Sequence, residues 1–103
     1  MYTHAQRRSD PQTQDLRKAA GLWLRGLREG KGLSQRDLAR LVGAEYYTLV
    51  SQLETGRGRV PPDGYELWAS ALGVDAQVFV KQLLYYYDPI TYRCLFGSEP
   101  SCE

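Results

Sequence analysis

The sequence predicts an all-α domain of five short helices followed by an extended apolar C-terminal tail. Three observations lead there. Apolar residues recur at a 3.6-residue period in successive stretches up to residue 86. Glycine or proline punctuates the gaps between them. The chain has 103 residues, 43% of them hydrophobic, which fits one compact domain with a real core and excludes a disordered chain.

Residues 1–14 are polar, include Arg7, Arg8, Asp10 and Pro11, and read as a flexible arm. Thr13 or Asp15 is a candidate cap for the first helix. Its apolar face is Leu16, Ala20, Trp23, Leu24 and Leu27, and Gly30 and Gly32 end it. Gly21 and Gly26 lie inside it, each at a cost of about 1 kcal/mol relative to Ala, and close packing is a reason to carry them. Ser34 is a strong N-cap for the second helix, with Asp37 three residues on. Leu38, Leu41 and Val42 form its apolar face, and Gly43 breaks it.

A third helix is expected over residues 46–54, with Val50 and Leu53 inward and Tyr46 or Leu49 contributing. Gly56 and Gly58 close it. Pro61 and Pro62 start a fourth helix, with Tyr65, Trp68, Ala69 and Leu72 inward and Gly73 as its stop. Asp75 caps a fifth helix over residues 76–86, whose inner stripe is Phe79, Leu83 and Tyr86. Asp88-Pro89 ends it. Residues 90–96 then alternate, with Ile90, Tyr92, Cys94 and Phe96 on one side and Thr91, Arg93 and Leu95 on the other. That is the pattern of a short strand, and an extended docked tail fits it equally well. The expected division is an arm over 1–14, a helical domain over 15–87 and an extension over 88–103.

Composition narrows the function classes. No apolar run approaches the roughly 20 residues that span a bilayer, and no secretory h-region opens the chain, so a cytoplasmic protein without membrane contact is expected. Cys94 and Cys102 lack zinc spacing and the single histidine, His4, lies in the arm. No metal or cofactor is expected. The cysteines read as a reduced pair, with a disulfide as the alternative. No nucleophile motif, zinc-protease motif or phosphate loop is present, and an enzyme is not expected. Charge is uneven: residues 1–59 carry 11 Lys/Arg against 6 Asp/Glu, whereas residues 60–103 carry 2 against 6. The first half suits a polyanion and the second suits solvent or a partner.

Two short helices joined by a tight turn are a general unit; the residues here are more specific. Leu33-Ser34-Gln35-Arg36-Asp37-Leu38-Ala39, then Gly43, then Leu53-Glu54-Thr55-Gly56-Arg57 resembles the lambda-repressor-like (Xre/Cro) helix-turn-helix family. Leu67-Trp68-Ala69-Ser70-Ala71-Leu72-Gly73-Val74 resembles that family's following helix. The resemblance implies a sequence-specific regulator of transcription that binds double-stranded DNA. It also implies that Gln35 bonds a phosphate and braces the recognition helix, and that Arg28 pairs with Glu54 across the core.

One departure sets the register of the reading helix. Ten residues, 44–53, separate Gly43 from Glu54, one more than the family usually has. Counting back from Glu54 gives Tyr47, Thr48, Ser51 and Gln52 as base readers; counting forward from Gly43 gives Tyr46, Tyr47 and Ser51. The backward count is preferred because it buries Val50 and Leu53 and leaves the extra residue in the turn. Gln can pair with the adenine edge and Thr can offer a hydroxyl or a methyl. Ser34, Gln35, Arg36, Tyr46, Arg57 and Arg59 are the phosphate candidates, and Arg7 and Arg8 are candidates for a minor-groove arm.

The stretch from Leu83 to Phe96 is unusually aromatic. Leu83, Tyr86, Tyr87, Ile90, Tyr92, Leu95 and Phe96 are expected to form a homodimer surface, since large apolar patches mark interfaces. The competing expectation is that the tail folds back over the first helix and covers Trp23. A repressor on an inverted-repeat operator is the leading functional reading. An antitoxin-like module that binds a protein partner through the aromatic half is the alternative.

Overall fold

The computed structural model describes residues 11–97, whose regular elements are all helical, without a strand among them. Six α-helices follow in order: α1 (Pro11–Gly30), α2 (Gln35–Leu41), α3 (Thr48–Glu54), α4 (Tyr65–Leu72), α5 (Ala76–Tyr87) and α6 (Pro89–Phe96). A 3₁₀ turn, Pro62–Gly64, leads into α4.

Local chemistry explains most boundaries. Ser34 Oγ accepts from the Asp37 amide while the Asp37 carboxylate accepts from the Ser34 amide, a complete capping box. Asp75 caps α5 by accepting from the amides of Gln77 and Val78. Gly73 ends α4 in the left-handed region, at φ 73°. The first helix starts at Pro11, so the arm expected over 1–14 gives way to helix within its last residues. Arg7, Arg8 and His4 lie outside the described residues, as does Cys102.

One core joins the helices. Ala20 and Leu24 of α1, Leu38 and Ala39 of α2, Val50 and Leu53 of α3, Trp68, Ala69 and Leu72 of α4, and Phe79 and Leu83 of α5 are all buried. Full burial of a Leu, Val or Phe side chain contributes roughly 1.5–3 kcal/mol, so these positions carry the fold. Gly21 is also buried, and a β-carbon there would collide with the backbone of Glu54. Its missing side chain lets α1 and α3 approach. No such neighbour surrounds Gly26. Leu41, expected inward, is 49% exposed because α2 ends at that turn.

The C-terminal stretch corrects the sequence reading. Residues 90–96 form neither a strand nor an extended tail; they lie in α6, which packs on α5. Asp88 caps this helix: its carboxylate accepts from the Thr91 amide at 3.1 Å and from the Thr91 hydroxyl at 2.6 Å. Pro89 occupies the first turn, where its fixed φ and missing N–H are tolerated. The pair that ends α5 therefore also starts α6. Trp23 is covered from α5, by Phe79 and Tyr86 at ring separations of 5.5 and 5.9 Å.

Candidate nucleic-acid interface

The recognition unit is α2, the turn after it, and α3. Gly43 takes φ 71°, which turns the chain between them. Helix α3 starts at Thr48, two residues later than expected, and Tyr46 precedes it, 66% exposed. The extra residue thus sits in the turn. Val50 and Leu53 are buried, which is the register counted back from Glu54. Thr48 and Gln52 are exposed, Ser51 is half-buried, and Leu49 contributes partial burial to the core. Tyr47 stands at the N-terminal edge of α3, 41% exposed.

A buried polar lock holds this unit to α1. Arg28 Nε donates to Glu54 Oε2 at 2.6 Å and Arg28 Nη2 donates to Glu54 Oε1 at 3.1 Å, a two-pronged pair. Arg28 Nη1 donates to the Leu33 carbonyl at 2.7 Å. Gln35 Nε2 donates to Glu54 Oε1 at 3.1 Å. Arg28 and Glu54 are 8% and 7% exposed, so water cannot replace either partner. The hydrogen bond to Glu54 pushes the Arg28 guanidinium above its ordinary, already high, value. Gln35, a phosphate candidate in the sequence, is half-buried and spends its amide bracing Glu54.

Exposed arginines stand on α2 and in the loop after α3. The Arg36 guanidinium lies over the Tyr47 ring, 4.7 Å from its centroid, bridging α2 to the start of α3. Arg57 and Arg59 are exposed in the loop after α3. That loop is tied to the helix: the Arg57 amide donates to the Gln52 carbonyl at 2.8 Å. Arg36, Arg57 and Arg59 have no carboxylate partner among the described residues, whereas Arg25, Arg28 and Arg40 each have one. Ser34 is exposed and its hydroxyl is engaged in the cap.

A family model described as a helix-turn-helix domain matches residues 14–79. The chain belongs to the helix-turn-helix domain family. Neither the curated proteins nor the solved structures return a match. Membership supports a DNA-binding regulator. The match stops inside α5 and leaves α6 outside it. No helix among the described residues is long and apolar enough to cross a membrane.

Sequence reasoning missed one cation beside this interface. Arg17 of α1 lines a cleft of about 300 Å³ with Thr13, Gln14, Gly56, Arg57 and Gly58. Only the packing of α1 on the loop brings Arg17 there, so the linear pattern held no signal for it.

Three members of the expected dimer surface are withdrawn from it. Leu83, Tyr87 and Tyr92 are buried inside the chain's own fold. Tyr87 accepts from the Val60 amide at 3.3 Å, and burial pushes its phenol up. Tyr92 is enclosed between the rings of Tyr85 and Phe96, at 5.5 and 4.9 Å. Tyr86 is half-buried against Trp23, while Ile90, Leu95 and Phe96 stay exposed at 53%, 65% and 46%.

Proposed function

We propose that this protein is a sequence-specific transcriptional repressor of the lambda-repressor-like (Xre/Cro) type. The carrying observation is the exposed face of α3, flanked by Arg36, Arg57 and Arg59, none with a carboxylate partner among the described residues. Tyr47, Thr48, Ser51 and Gln52 read base edges in the major groove. Gln52 suits adenine and Thr48 suits thymine or a hydrogen-bonding edge. Ser34, Gln35, Arg36, Tyr46, Arg57 and Arg59 hold the backbone and fix the helix's depth and angle. The Arg28–Glu54–Gln35 lock supports this reading because a reading helix needs a fixed orientation.

One short helix reads only a few base pairs, so a second copy is needed for specificity. Ile90, Leu95 and Phe96 of α6, with Tyr86 at their edge, form the self-association surface in this reading. Leu95 and Phe96 line a groove of about 900 Å³ between α4, α5 and α6 that also holds Tyr65, Val80 and Leu84. A two-fold dimer presents two α3 helices about 34 Å apart, one turn of duplex, and calls for an inverted-repeat operator. Occlusion of a promoter in the cytoplasm, at the nucleoid, follows as the mode of action. The division into arm, DNA-binding domain and association element belongs to the same reading.

Selection of bound duplexes from a random pool tests all of this at once. An enriched inverted repeat with half-sites about one turn apart is expected. Recovery of unselected sequence would reject the reading.

A further inference from the structure

The cleft between α1 and the loop after α3 has no role in the lock, the base-reading face or the association surface. Its lining contains two guanidinium groups, Arg17 and Arg57, and no carboxylate. Arg17 Nε is buried and has no hydrogen-bond partner among the described residues. A buried cationic donor without an acceptor carries a desolvation cost that an anion relieves. We propose that this cleft is a phosphate seat in which Arg17 and Arg57 together hold one oxyanion of the DNA backbone, just past the C-terminal end of the reading helix. The proposal rests on the DNA-binding reading above and adds Arg17, on a different helix, to its contacts.

The seat is built in advance. Arg17 lies 5.4 Å from the ring centroid of Tyr87, and Arg59 lies 5.0 Å from the same centroid. Tyr87 is itself fixed by the Val60 amide and by burial. Arg17 therefore has an anchor that is not an acid, and its charge stays uncompensated. Gly56 and Gly58 take φ 84° and 147°, conformations that side-chain-bearing residues rarely adopt. A β-carbon on Gly56 would press on the backbone of Arg17 and Lys18 at 3.1–3.2 Å. Glycine at that position lets the loop close on α1 and brings the two arginines to one cleft. The bond from the Arg57 amide to the Gln52 carbonyl then couples the seat to a base-reading residue. A phosphate held here sets the register of Gln52 along the groove.

Two measurements test the seat on the full chain. In the first, binding to the selected duplex is titrated across salt concentration. Arg17→Gln is expected to bind roughly tenfold more weakly, the size of one charge-assisted hydrogen bond, on operator and unrelated duplex alike. Its slope of log affinity against log salt becomes shallower by about 0.9. The double variant Arg17→Gln/Arg57→Gln loses less than the product of the single losses, because both groups serve one phosphate. Arg25→Gln, on the same helix and paired with Glu29, keeps the original slope. In the second measurement, inorganic phosphate is added without DNA while NMR follows the Arg17 Nε–H resonance; it uses the unaltered chain, so loss of folding in a variant cannot obscure it.

A shallower slope assigns the seat to the DNA backbone. An unchanged slope with a saturable shift overturns the backbone and assigns the seat to a free phosphoester. An unchanged slope without a shift overturns the seat. If the unaltered chain binds no DNA, the DNA-binding reading fails, and the phosphate titration alone then decides the seat.

Discussion

The two halves of this molecule are held together by different physics. Helices α1, α2 and α3 meet at a directional polar lock, with Arg28, Glu54, Gln35 and the Leu33 carbonyl in fixed hydrogen-bond geometry. The C-terminal helices are held through rings: Trp23 of α1 on Phe79 and Tyr86 of α5, Tyr85 of α5 on Tyr92 of α6, and the neighbouring pairs Tyr85 with Tyr86 and Tyr92 with Phe96. Hydrogen bonds to charged groups fix an angle as well as a distance. Ring packing tolerates a range of offsets and tilts, and the interplanar angles here run from 27° to 76°. The helix proposed to present side chains to a groove has the directional support. The half that only has to supply stability and apolar surface has the tolerant one.

Breaking each half at its centre gives the largest effects. Glu54→Ala leaves buried Arg28 without its two-pronged partner, with only the exposed Glu29 at 3.8 Å, and is expected to cost roughly 3–5 kcal/mol in denaturant unfolding. Phe79→Ala is expected to cost a similar 3–5 kcal/mol through the cavity it leaves. The two differ under rescue. Replacing both Arg28 and Glu54 with apolar residues of similar volume recovers much of the stability but not DNA affinity, because packing does not restore the angle of α3. A double replacement as damaging to stability as Glu54→Ala alone would contradict that account.

Gly21→Ala sits between the halves in size. Its β-carbon meets the Glu54 backbone, and overpacking of this kind costs roughly 1–3 kcal/mol. It moves α3 rather than opening a cavity, so DNA affinity should fall more than the loss of stability predicts. Equal losses in melting and binding measurements would argue against the close approach as a positioning device. Gln52→Ala should leave melting unchanged and relax preference by roughly 1–3 kcal/mol at one base position per half-site. A competition titration that still ranks bases as before would remove Gln52 from the reading face.

The smallest effect is at the α2 cap. Hydrogen bonds from Ser34 hold the Asp37 carboxylate below its ordinary value. The folded form therefore binds its proton less tightly than the unfolded form does. This stabilisation is fully present above the unfolded value of about 3.9 and is lost as pH falls through the lower folded value. Asp37→Asn should melt slightly lower than the unaltered chain at neutral pH and converge with it in acid, so that its acid limb is flatter. An acid limb identical to that of the unaltered chain would show that the box contributes nothing there.

The residues that made the fold legible are those whose chemistry is local. Ser34 with Asp37, Asp75, Gly43 and Gly73 set helix boundaries from their own backbones and neighbours, and the structure has them in those places. The 3.6-residue period of Ala20, Leu24 and Leu27 worked for α1 because 20 residues give a period room to declare itself. Residues 90–96 are too few for that. Alternation and helical spacing share Ile90 and Tyr92 as members there, and Asp88-Pro89 was read only as a stop, although the same pair is a cap and a first-turn proline.

By itself the sequence determined an all-α chain, its caps, and a reading helix that keeps Val50 and Leu53 inside. Tertiary structure decided what depends on distant neighbours. It turned Tyr87 and Tyr92 into core, left Ile90, Leu95 and Phe96 outside, and engaged Gln35 with Glu54. It also left Arg36, Arg57 and Arg59 without acids among the described residues and carried Arg17 to the loop after α3. The reason is range. A cap is settled within four residues of chain, whereas burial and long-range pairing are settled by whichever segment arrives from far along the chain, as Tyr87 does for the Val60 amide, 27 residues away.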